Sequence, residues 1–221
     1  MKTSRFTVNG TPNGEFNTFK ISDGAHNSLM AQYGAGYYFD SNKDSAKRYT
    51  QDVNKTVAKR NPKVFETYLN IKNPLVIHDE YLNGREPVIT KQQFVDVISK
   101  GNYEWMFTNG MPFELTKYLE KNKSEIQQMS REEIIKHWTD MVYERAYFDS
   151  EILSAMVKAY KGDSILGVMK DVFGKDGVQV IDKYGEMWVA WDNSQIKETT
   201  NNNPTSNPDI RYSDRETLDD A

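Results

Sequence analysis

Tyr184-Gly185-Glu186-Met187-Trp188-Val189-Ala190-Trp191-Asp192 is the stretch on which the fold turns. Met187 to Trp191 is apolar, aromatic and β-branched, the composition of a buried strand. Glu186 stands at its head as a lone acid, and a carboxylate entering a buried run costs free energy unless it is paired, hydrogen-bonded or left in water. Two readings stay open at this point: an acid at a strand end with its head in solvent, or an acid kept there for chemistry. Just upstream, Gly177 to Ile181 reads as a second strand, with Asp182 to Gly185 as the turn between them.

Working outward, residues 1–40 are rich in Gly, Asn, Thr and aromatics, with short extended pieces at Arg5 to Val8 and Tyr37 to Phe39. A helix is expected from Lys43 to about Lys59. Val64 to Ile71 has strand composition, and Asn73-Pro74 separates it from a second β piece, Leu75 to Ile77. The middle changes character. From Thr90 to Phe173 apolar residues recur at helical spacing, as in Ile152, Leu153, Met156, Val157 and Tyr160. Ser130 with Glu133 spells a capping box, and Gly174 sits where a helix should stop. From Thr199 onward the chain is Asn, Pro, Ser and charge, a composition for a mobile tail or linker. The expectation is an α+β fold over residues 1–198, with a helical insert over about 90–173 and a tail over 199–221.

The chain has 221 residues, enough to bury roughly 70% of its unfolded surface without staples. It has no cysteine, which removes disulfides, thiolate metal sites and cysteine nucleophiles. No apolar run follows the basic start MKTSRFTVNG, and none approaches the roughly eighteen residues of a membrane span, so a soluble chain without an export signal is expected. A net charge of −4 gives no overall footprint for nucleic acid. The basic run from Lys43 to Lys63 reads first as a solvated helix face.

His26, His78 and His137 are the only histidines, and none has a partner at metal-ligand spacing, so no metal is expected. There is no phosphate-binding G-x-x-x-x-G-K-[ST] loop, no G-x-S-x-G elbow and no H-E-x-x-H helix. Gly34-Ala35-Gly36 lacks a third glycine and a following βαβ unit, which rules out a Rossmann site.

Three separated pieces resemble, in order, the motifs of the ADP-ribosyltransferase superfamily, in the diphtheria-toxin and poly-ADP-ribose-polymerase branch whose signature is His, Tyr, Glu. Asn9-Gly10-Thr11 is similar to the first motif except at its first residue, usually His. Gly34-Ala35-Gly36-Tyr37-Tyr38-Phe39, followed by Ser45-Ala46 and Tyr49, resembles the second strand and the helix after it. Tyr184 to Asp192 resembles the last catalytic strand. The strand Tyr68 to Leu75 and the closing Asn207-Pro208-Asp209-Ile210-Arg211-Tyr212-Ser213 are similar to domains of large phage and mobile-element proteins of the MuF-associated kind.

The resemblance implies a split β-sheet core and transfer of ADP-ribose from NAD, used as a substrate without metal. It implies Glu186 as the charge opposite the developing oxocarbenium and as holder of a ribose hydroxyl, Tyr38 as the stacking face for nicotinamide with Tyr49 on the other side, Gly10 and Thr11 in the first motif, and Ser45 at the nicotinamide. Asn9 replaces a histidine that holds an NAD ribose hydroxyl; asparagine keeps a donor and an acceptor, so weakened NAD binding is expected before lost chemistry. Arginine-specific relatives carry a second glutamate where this chain has Tyr184, which disfavours that acceptor. The implied role is a mono-ADP-ribosyltransferase acting on a host macromolecule, with a protein as the expected target, in the bacterial cytoplasm or inside a host cell. The alternatives are an inactive NAD-fold interaction module and an NAD glycohydrolase.

Overall fold

The hairpin read from the sequence is present, and Glu186 lies inside it. In the structure, a computed structural model, residues 6–11, 33–51, 63–101, 128–157, 159–160, 164–183, 185–201, 205–207, 209 and 211 are described. They fall into two compact units: residues 1–20, 37–74 and 176–221 form the first, and residues 21–36 and 75–175 the second.

The first unit is a sheet of β1 (Phe6–Thr11), β2 (Tyr37–Asp40), β3 (Lys63–Leu69), β5 (Gly177–Asp182), β6 (Gly185–Ala190) and β7 (Ile196–Glu198), with the helix α1 (Lys43–Gln51). Its strands run in the order β5-β6-β2-β1-β3-β7. Every pairing among them is antiparallel, which agrees with the absence of a Rossmann unit. Successive residues of a strand face opposite ways and cross-strand partners face the same way. One face is thereby assembled from Phe39, Phe65, Leu69, Trp188, Ala190 and Ile196, a buried cluster on which Tyr37 and Ile71 also pack. Each such side chain contributes on the order of 1.5–3 kcal/mol by leaving water.

α1 packs on β1, β2 and β3. Its Ala46 is buried, and Lys43 pairs with Glu66 of β3. Lys47 pairs with Asp44 one turn away. Two cations of the basic run are thus matched on the protein itself, by exposed pairs of small energetic weight. The remainder of the helix expected up to Lys59 lies outside the described residues.

Gln195 stitches the ends of the strands. Its Oε1 accepts from the N–H of Trp191 and of Asp192 (3.2 and 2.9 Å), and its Nε2 donates to the Asp176 carbonyl (2.9 Å). Past β7 the backbone keeps defined partners: Thr199 N–H donates to the Glu66 carbonyl (3.1 Å). The Lys197 ammonium, almost wholly buried, donates to the carbonyls of Asn207 and Asp209. Burial pushes that amine's pKa down, and the nearby Asp209 opposes the push. Asn207 and Asp209, in the stretch read as a mobile tail or linker, are thus held to β7 through Lys197.

The second unit holds the strand β4 (Leu75–His78), the helices α2 (Lys91–Ile98), α3 (Arg131–Trp138), α4 (Asp149–Val157) and α5 (Ser164–Phe173), and a π-helical turn, Thr139–Tyr143. The capping box at Ser130 and Glu133 forms as read, and a second one forms at Thr90 and Gln93. Gly174 ends α5 at φ +61°, a left-handed conformation that favours glycine. No helix among the described residues is long and apolar enough to cross a membrane.

The link between β4 and α2 is held by two carboxylates. Asp79 accepts from the Tyr33 hydroxyl (2.8 Å) and the Ser150 hydroxyl (3.3 Å). Asp149, whose side chain has no exposed surface, accepts from Arg85 (3.1 Å) and from the Val88 N–H (2.8 Å). Removing one partner of a buried pair strands the other charge. Arg85→Ala should therefore lower the free energy of unfolding by about 3 kcal/mol in urea titrations; a loss under about 1 kcal/mol would show that Asp149 does not depend on its arginine.

Candidate active site in the sheet unit

The strand order brings the three motif segments, far apart in sequence, onto three adjacent strands: β6 beside β2, and β2 beside β1. On β1 the first motif is fixed in backbone register, with Asn9 opposite Phe65, Gly10 opposite Val64 and Thr11 opposite Lys63. β1 meets β2 at Val8 opposite Asp40. On β2, Tyr37 faces Ala190, Tyr38 faces Val189, Phe39 faces Trp188 and Asp40 faces Met187. Tyr49 is carried on α1.

This register sorts the side chains by face. Glu186 pairs with Ile181 and alternates in step with Trp188 and Ala190, so its row crosses β2 at Phe39 and Tyr37. Tyr38 belongs to the opposite row, with Val189, Asp40 and Met187. Ser45, on the helix after β2, hydrogen-bonds to the Asp40 carboxylate. One face thus collects Tyr38, Asp40 and Ser45 beside α1; the other carries Glu186 and Tyr37 in register with the aromatic core.

Glu186 is half-buried. Its backbone is held by Ser41, the residue that follows β2: Ser41 N–H donates to the Glu186 carbonyl (3.0 Å), and Glu186 N–H donates to Ser41 Oγ (3.3 Å). Gly185, at φ +149°, makes the approach possible, because a Cβ there would lie 3.3 Å from Ser41 Oγ. Its own N–H donates to Asp182 Oδ1 (2.9 Å), which closes the hairpin turn. The sequence reading missed Ser41, Asp40 and Asp182; all three act across strands, and no local pattern marks them.

Asp40 is the perturbed acid of the site. Burial raises its pKa above 3.8, with repulsion from Asp182 in the same direction, while hydrogen bonds from the Asn42 N–H (2.6 Å) and from Ser45 pull it down. The folded state therefore binds this proton more tightly than the unfolded chain. The stability it contributes is complete below the unfolded value and is lost as pH rises through the raised folded value. Asp40→Asn keeps an acceptor for Asn42 and Ser45 without the charge, so the variant should melt higher than the parent at pH 7. That gain should vanish below about pH 3.8. Equal melting temperatures at both pH values would show that Asp40 is not strained by its charge.

Among the described residues no group of three or more His, Cys, Asp or Glu is placed to hold a metal ion. No curated protein and no solved structure gives a significant match. A family model described as ADP-ribosyltransferase in polyvalent proteins matches residues 9–206, from the first motif on β1 through the last strand and beyond it. That span takes in nearly the whole chain, including the helical stretch for which the sequence offered no motif, and the chain belongs to this ADP-ribosyltransferase family.

Proposed function

We propose that the protein transfers a single ADP-ribose from NAD to a host macromolecule, with a protein acceptor, as an effector of a phage or mobile element. The observation that carries this reading is the adjacency of the three motif strands with Glu186 at the head of β6, inside a family defined by ADP-ribosyl transfer.

The residues suit the substrate. As the bond from nicotinamide to its ribose breaks, positive charge grows on the sugar, and a fixed carboxylate stabilises that charge far better in a partly desolvated site than in water. Glu186 is half-buried and clamped through its backbone, which keeps its charge in one place without reorganisation. By resemblance Tyr38 offers the ring for nicotinamide, with Ser45 on the same face. The register sets both on the face opposite the Glu186 row, so one NAD contacting Tyr38 and Glu186 would have to pass the end of β2 at Ser41. Tyr37 packs on the apolar cluster, which suits a structural ring better than a ligand platform. Asn9, Gly10 and Thr11 sit on β1, which neighbours β2; by resemblance Asn9 stands where a residue holds an NAD ribose hydroxyl and Gly10 offers backbone groups to the carboxamide. A second reading, NAD hydrolysis with water as acceptor, uses the same residues and differs only in the product.

NAD binding should stabilise the fold by about 1.4 kcal/mol at ten times its Kd, read as a thermal shift. Tyr38→Ala should abolish the shift, and Tyr37→Ala should retain it while lowering the starting melting temperature. A full shift in Tyr38→Ala would remove Tyr38 from the nicotinamide site, and no shift in the parent at millimolar NAD would count against the enzyme.

Glu186→Gln keeps size and most hydrogen bonding but removes the charge. It should leave NAD affinity nearly unchanged and lower nicotinamide release by about a hundredfold to a thousandfold, the scale of one preorganised electrostatic contact. Asn9→His should tighten NAD binding by up to about tenfold, and it gives the background for this measurement where the natural chain is slow. Modified bands in a lysate supplied with labelled NAD distinguish transfer from hydrolysis. Wild-type turnover in Glu186→Gln would refute the role given to the acid.

A further inference from the structure

We propose that Ser41 is the positioning residue for Glu186: its hydroxyl completes the last rung of the β2–β6 ladder and thereby fixes the direction in which the carboxylate points. The proposal rests on the reading of Glu186 as the acid beside the departing sugar, and it adds a residue that neither the motifs nor the family match supplies.

The argument starts from the ladder. Opposed residues of a hydrogen-bonded antiparallel pair exchange two backbone bonds, N–H to carbonyl in each direction. The paired residues run from Tyr37 with Ala190 to Asp40 with Met187, so the next rung falls at Ser41 and Glu186. There only half of the usual exchange is made by backbone, from Ser41 N–H to the Glu186 carbonyl at 3.0 Å. The other half goes to the side chain, from Glu186 N–H to Ser41 Oγ at 3.3 Å. Both backbone polar groups of Glu186 are therefore held by one residue, whose own chain can turn away into the Asn42 loop because its carbonyl is not needed.

The residues around it fit that role. Asn42 N–H is taken by the Asp40 carboxylate and Asn42 Oδ1 accepts from Asp44 N–H (2.8 Å), so the chain on both sides of Ser41 is fixed. On the β6 side, Gly185 leaves the space: any side chain there meets Ser41 Oγ and adopts a backbone conformation that L residues avoid. With the rung intact, the Glu186 backbone dihedrals are set and its carboxylate has only side-chain torsions left. Without it, the strand end frays by one residue and the charge spreads over more positions, which weakens an effect that depends on preorganisation.

The test uses the full chain, in the Asn9→His background where natural turnover is too slow to measure. Ser41→Ala should lower kcat for nicotinamide release by about three- to tenfold, the scale of one neutral hydrogen bond, with KM for NAD unchanged; Ser41→Thr, which keeps the hydroxyl, should restore it. Gly185→Ala should reproduce the loss from the opposite side of the contact. Amide exchange of Glu186, followed by NMR, should speed up in Ser41→Ala and Gly185→Ala but not in Ser41→Thr, and it needs no turnover. If no parent cleaves NAD the enzymatic reading falls, while the exchange measurement still decides whether Ser41 holds Glu186. Unchanged kcat with unchanged exchange in Ser41→Ala overturns the proposal, as does a loss that Ser41→Thr fails to restore.

Discussion

The pairing of β2 with β6 is the constraint on which the rest of the sheet unit depends. It joins residues 37–40 to residues 187–190, so it closes a loop of most of the chain, and loop closure must be met by interactions made only afterwards. Those interactions are the aromatic and aliphatic rows on either side. Phe39 and Trp188 meet directly across the ladder, with Phe65, Leu69 and Ile196 extending the cluster to the far edge. A slip of β6 by one residue would turn it over relative to β2 and bring Met187 and Val189 into the cluster in place of Trp188 and Ala190. The register that buries the core is the same register that places Ser41 against Glu186, so stability and site geometry are not separable here.

Much of this was legible because it is local. The capping box at Ser130 and Glu133 needs only four residues, and the stop at Gly174 needs one. The apolar run after Glu186 and the turn before it gave the hairpin, although the strand begins at Gly185 rather than Met187 because Gly185 still pairs with Asp182. Likewise β3 ends at Leu69, two residues before the limit set by composition, where its pairing with β7 reaches Ile196. The π-helical turn at Thr139–Tyr143 was invisible, since the residues there carry an ordinary helical pattern. It follows Trp138 directly, and the Thr139 hydroxyl donates to the Ile135 carbonyl (2.8 Å).

The site divides in the same way. Glu186 could be singled out because an acid at the head of an apolar strand is unusual, and the family match spans it. The division of Tyr37 and Tyr38 between opposite faces could not be read from the sequence, because two adjacent tyrosines are equivalent until a partner strand fixes the alternation. Ser41 acts across 145 positions of sequence. Asp40 is perturbed by burial and by an acid on another strand, so its state is a product of the fold. Tertiary pairing thus separates residues that composition treats alike.

The Lys197 ammonium, gripping the carbonyls of Asn207 and Asp209, also has a mechanical meaning. A pull on the segment at Asn207 and Asp209 reaches the sheet through this buried cation. Lys197 is itself a residue of β7, so the load enters through its side chain at the edge of the sheet, and that charge must find water before the contact is lost. A load on that segment thus meets the sheet at one side chain of its edge strand, with β3, β1 and β2 standing between it and the strand that carries Glu186.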